Sequence, residues 1–104
     1  MINWSRVNEL KNDIGPDDIN DIVELFLSEV EEVIEKLSGN DGGDSLEQHM
    51  HFLKGSALNL GFDGLGQLCS DAEKQAALGQ DQAVSIPEII SNFQQSKAEF
   101  LAGL

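Results

Sequence analysis

The chain has 104 residues, with 19 Asp and Glu against 6 Lys and Arg, a formal net charge of −13. One hydrophobic core is the expectation at this length, which leaves no room for a cofactor domain beside a substrate domain, and the negative excess disfavours nucleic acid and anionic membrane as partners. At 40% hydrophobic residues in periodic runs, the chain is too apolar for an acidic disordered tail.

Gly, Pro, Asn and Asp divide the sequence into five segments, and in each the apolar residues recur at three and four. The first predicted helix runs from about Trp4 to Ile14, with Trp4, Val7 and Leu10 on one side, and stops at Gly15. Pro16 suits the first turn of a second helix, and Asp17 and Asp18 sit well near the positive end of its macrodipole. That helix extends to about Leu37, its apolar set Ile19, Ile22, Val23, Phe26, Leu27, Val30, Val33, Ile34 and Leu37 opposed by an acidic face. Ser38 to Gly43 reads as a loop, since adjacent glycines and short polar side chains favour turns. A third helix begins near Asp44 or Ser45 and ends near Gly61 as a left-handed cap. Asp63 is expected to cap a fourth, carried by Leu65, Leu68, Ala72 and Ala76 and closed at Gly79. Ser85 and Glu88 have the spacing of a capping box for a fifth, which continues through Ile89, Ile90, Phe93 and Phe100 to the C-terminus. No segment alternates as a strand should. The expectation is an all-α fold: an antiparallel up-down-up-down four-helix bundle with a short additional N-terminal helix, residues 1–104 in a single domain.

The single cysteine, Cys69, cannot form an internal disulfide, and no Cys/His cluster has zinc spacing, which suits a reducing compartment. No export signal or apolar run of membrane-spanning length is evident, so a cytoplasmic location is expected. Cys69 itself reads as a small core residue.

The third helix carries the chemistry. At about 100° per residue, Leu46, Met50, Leu53, Ala57 and Leu60 define a core stripe, and Glu47, His51, Lys54, Gly55 and Leu58 fall on one flank, roughly 80° to 180° from it. His51 therefore points out of the bundle, bordered by Lys54 at i+3 and Gly55 at i+4. A neutral imidazole offers one ring nitrogen as a nucleophile, and an ammonium one turn away can offset the charge of a phosphoryl group placed there. Gly55 removes bulk that would hold a partner away, and Leu58 offers that partner an apolar contact. Taken singly, a surface histidine, a surface lysine and a tolerated glycine could also coincide without a function.

Read together, the run from His51-Phe52-Leu53-Lys54-Gly55-Ser56-Ala57 through Leu60-Gly61 to Leu65 closely resembles the signature of histidine phosphotransfer (HPt) domains of two-component phosphorelays, H-x-L-K-G-S-[SA]-x-x-[LIM]-G-x-x-x-L. The resemblance implies a phosphoryl carrier, not an enzyme, that accepts a phosphoryl group on His51 from a receiver-domain aspartate and passes it to another receiver, with no nucleotide site or cofactor of its own. It implies further that Lys54 steadies the phosphoryl group and Gly55 lets a response-regulator receiver approach, with a sensor histidine kinase as the indirect source. In this family the fourth helix often places a glutamate or glutamine opposite the histidine, and Glu73 stands at about that place. If Glu73 or Glu47 accepts a hydrogen bond from the near ring nitrogen, the far one is left free to attack. Met50 departs from the alanine common before the histidine, which touches local packing only. A monomer is the simplest state for a carrier that must expose His51.

Other readings fare less well. His49 and His51 diverge by about 200° on a helix, so they cannot share a metal ion, and no metal is expected. Ser56 lies on the other side of the helix from His51, which removes the nearest nucleophile for a hydrolase. The remaining alternative is a non-catalytic acidic adaptor that docks receivers or other proteins through the His51 flank.

Overall fold

The computed structural model describes residues 2–39 and 45–103. Five helices follow one another: α1 (Trp4–Ile14), α2 (Ile19–Gly39), α3 (Leu46–Leu60), α4 (Asp63–Ala77) and α5 (Ile86–Gly103), with a short 3-10 turn at Asp81–Ala83. Of the expected loop from Ser38, the first two residues complete α2, and residues 40–44, including the Asp44 alternative for the start of α3, lie outside the described residues.

Local chemistry accounts for most of the boundaries. The side chain of Asn3 accepts from the Arg6 N–H to open α1, and Gly15 closes it at φ 94°. Pro16, Asp17 and Asp18 form the turn leading into α2, and the Ile19 N–H donates to the Gly15 carbonyl at 3.2 Å. The first N–H groups of a helix have no partner within it, so the missing donor of Pro16 costs nothing there. Ser45 opens α3 with a capping box completed by Gln48. Asp63 does not cap α4: the N-cap position is Phe62, without a side-chain bond, and Asp63 is the first helical residue. Its carboxylate still meets the positive end of the helix dipole. At α5 the Glu88 N–H donates to Ser85 Oγ, the serine half of the expected capping box.

α2 packs on α3, α3 on α4, α4 on α5 and α5 back on α2, while α1 covers one end of the α2–α3 pair. The result is the expected four-helix bundle with a leading helix, an elongated body of 42 × 22 × 20 Å. Met50, Leu53, Leu60, Phe62, Leu65, Cys69 and Phe100 are almost fully buried along its axis, and a large side chain buried in this way contributes roughly 1.5–3 kcal/mol. Phe100 sits between two rings, stacked against Trp4 at 6.3 Å and edge-on to Phe62 at 5.3 Å. The stripe of α5 includes a serine: Ser96 is buried between Phe93 and Phe100, and its hydroxyl donates to Asn92 Oδ1 at 3.2 Å. Burial pushes the Cys69 thiol up to about 12, so this cysteine is an inert core residue, as expected.

Candidate functional site

The site is built on the hairpin formed by α3 and α4. Gly61 ends α3 in the left-handed region at φ 82°. Its N–H donates to the Leu58 carbonyl, while the Phe62 N–H reaches back to Ala57 at 2.7 Å. This pair of bonds is a Schellman motif, and it turns the chain back on itself at once. The N-terminal segment fastens the turn: the Asn3 N–H donates to the Gly61 carbonyl at 2.7 Å, and the Arg6 guanidinium bonds both the backbone and the side chain of Asn59.

Folding the two helices about this turn brings together residues at equal distances from Phe62. His51 and Glu73 each lie eleven residues from it, and Leu58 and Gly66 each lie four residues from it. Both pairs touch. Glu73 Oε2 is 2.9 Å from His51 Nδ1, and Oε1 of the same carboxylate is 2.6 Å from Lys54 Nζ. The histidine side chain remains 70% exposed, whereas that of Glu73 is 20% exposed. Hydrogen bonds from Lys54 and then from His51 hold the Glu73 carboxyl below its ordinary pKa, against a smaller desolvation effect. An ionised carboxylate can only accept. In the neutral imidazole the proton therefore sits on Nδ1, and the lone pair is left on Nε2, at the far edge of an exposed ring.

Of the flank predicted on α3, His51, Gly55 and Leu58 are exposed and Lys54 is half-buried, its side chain folded onto α4 toward Glu73. A Cβ at Gly55 would meet nothing within 4 Å, so packing within the protein gives no reason for a glycine there. Glu47 is exposed and lines an open groove of about 420 Å³ with Ser45, Gln48, His51 and Glu73. Of the two carboxylates weighed as partners of the near ring nitrogen, Glu73 makes the contact. His49 is buried on another side of α3, and among the described residues no group of three or more His, Cys, Asp or Glu is placed to hold a metal ion.

Two features escaped the sequence reading. The sharing of Glu73 between His51 and Lys54 needed the relative height of two helices, which no periodicity within one helix contains. The contact of Gly66 with Leu58 was foreshadowed only by an unexplained glycine inside α4.

The Hpt domain family model matches residues 21–99. The chain belongs to the Hpt domain family. It resembles the phosphorelay protein LuxU of Vibrio vulnificus strain YJ016, with 26% identity over 107 residues that cover 98% of this chain and 93% of that protein. LuxU of Vibrio harveyi is 27% identical, covering 88% and 84%, and LuxU of Vibrio cholerae is 28% identical, covering 82% and 78%. No solved structure matches the chain. With the helical bundle and the family both in view, this Hpt protein is a histidine phosphotransfer intermediate of a phosphorelay.

Proposed function

We propose that His51 is the residue that carries the phosphoryl group, that it receives the group from an aspartyl phosphate on one response-regulator receiver, and that it delivers it to another. Nε2 attacks phosphorus, an N–P bond forms, and the P–O bond to the receiver aspartate breaks, so that the aspartate leaves as a carboxylate. The imidazole then carries both the phosphoryl group and the Nδ1 proton, and its positive charge faces Glu73. Transfer to the next receiver is the reverse reaction on a second aspartate. The observation that supports this most strongly is the 2.9 Å contact of Nδ1 with Glu73 on a ring that stays exposed.

The other flank residues take roles around that step. Lys54 borders the imidazole from one turn further on, and its ammonium offsets part of the phosphoryl charge. Glu73 orients the ring and holds Lys54 beside it. Gly55 lets the receiver surface come close, and Glu47 and Leu58 contact it from either end of the flank. The phosphoryl group arrives from a receiver, and behind it a sensor kinase, so the protein works without a nucleotide or cofactor of its own. It acts as a monomeric single domain spanning residues 1–104, in the cytoplasm, without nucleic acid or membrane as a partner. No helix among the described residues is long and apolar enough to cross a membrane.

Incubation with phosphorylated receiver domains tests the assignment. The protein should acquire acid-labile, alkali-stable phosphate, and His51→Gln should abolish labelling while the helical circular dichroism is unchanged. Labelling that survives in the variant would overturn it.

A further inference from the structure

Gly66 lies inside α4, where glycine weakens a helix relative to alanine. Unlike Gly55, it has a neighbour that explains it. A Cβ at position 66 would stand 2.7 Å from Leu58 Cδ2, closer than carbon atoms approach, and a tight 3.1 Å from Leu58 Cγ, while Ala57 Cβ would be at an ordinary 3.9 Å. Leu58 thus lies down across the groove that the missing side chain leaves in α4. It is nevertheless 48% exposed, and the atoms that would clash belong to the free end of its side chain. A methyl group at position 66 would therefore displace Leu58 outward and leave the backbone where it is.

The position of that leucine matters because of where it stands. Leu58 is seven residues beyond His51, about 10 Å along the helix and within roughly 20° of the same direction. Gly55 lies between them, so the flank runs from imidazole to open gap to leucine. A partner covering on the order of 800 Å² around His51 reaches well past Leu58. Side chains on a helix lean toward its N-terminus, so a leucine lifted off α4 stands toward the Gly55 gap.

We infer that Gly66 is a positioning residue of the docking face: it seats Leu58 against α4, keeps the approach to His51 low, and with Leu58 determines which apolar receiver surface fits there. This rests on the proposed transfer from receiver domains. The alternation of large on α3 and small on α4 makes the two positions a unit, so that a change at one is felt only through the other.

The unit can be tested by measuring single-turnover phosphoryl transfer over a range of concentrations of a phosphorylated receiver that labels the wild-type chain, with kcat the saturating rate and KM the half-saturating receiver concentration, using Gly66→Ala, Leu58→Ala and the double variant. Gly66→Ala should raise KM about fivefold with kcat within about twofold. In the Leu58→Ala background the same change at position 66 should leave KM unaltered, because nothing remains to be displaced. An unchanged KM in Gly66→Ala, or an equal effect in both backgrounds, overturns the inference while leaving the proposed function standing. Loss of helical circular dichroism in Gly66→Ala that persists in the double variant also overturns it, since the clash would then lie elsewhere than at Leu58. If no receiver labels the wild-type chain, the proposed function fails and this inference fails with it.

Discussion

One carboxylate of α4 holds both His51 and Lys54 of α3. Glu73 accepts from His51 with one oxygen and from Lys54 with the other, and both contacts favour its ionised form. Its depressed pKa means that the stability these contacts contribute is fully present above the ordinary carboxyl range and is lost as the pH falls through the lowered folded value. The thermal midpoints of wild type and Glu73→Gln, compared from neutral to acid pH, should accordingly differ most above that range and converge below it. A difference that grows toward acid would contradict the sign. The same residues should separate kinetically. Lys54→Ala removes the ammonium paired with Glu73 one turn from His51, and on the proposed function it is expected to slow transfer roughly tenfold without unfolding the bundle; rapid-quench kinetics with a phosphorylated receiver would reveal it, and unchanged kinetics would remove the proposed role of Lys54.

At the scale of elements, the site depends on how abruptly α3 becomes α4. The left-handed Gly61, the two Schellman bonds and the docking of Asn3 fix the height of one helix against the other. That height places Glu73 opposite His51 and Gly66 opposite Leu58 at the same time. Gly61→Ala would hold an L residue at φ 82° and bring its Cβ to 2.8 Å from the Asn3 carbonyl oxygen. The clash here is with backbone, which cannot step aside as the end of Leu58 can. A loss of about 1–3 kcal/mol is expected, read as a lower urea midpoint, together with slower labelling of His51 as the hairpin loosens. Wild-type stability in Gly61→Ala would show that the turn is not what sets the register.

For the molecule as a whole, a charge of −13 surrounds the exposed His51, which on the proposed function must accept a dianionic group. Of the few cations, Arg6 fastens α1 to the end of α3 and Lys97 pairs with Glu31 between α5 and α2. Lys54 is the one that borders His51 among the described residues. On the proposed function, an acidic surface of this kind would favour receivers with a basic rim around their aspartate. Raising ionic strength from about 50 to 500 mM shortens the Debye length severalfold and should lower kcat/KM for receiver transfer through KM, with kcat little changed. Insensitivity to salt would show that the acidic surface does not steer the partner.

What the sequence determined by itself was the existence of each helix and the direction of its faces, though not every end: α2 runs on to Gly39, and Phe62 rather than Asp63 precedes α4. Period and punctuation within each segment specify five helices, the core stripe from Leu46 to Leu60 and the outward direction of His51, Gly55 and Leu58, because a regular helix converts spacing directly into angle. The run from His51 to Leu65 also carried the family resemblance, later matched over residues 21–99. The tertiary structure decided what faces what across two helices. It chose Glu73 over Glu47 for the near ring nitrogen and drew Lys54 onto the same carboxylate. It also supplied the seat that Gly66 gives Leu58. Each of these depends on the register between α3 and α4, which the Gly61 turn and its contact with Asn3 impose, and which spacing along a single helix does not contain.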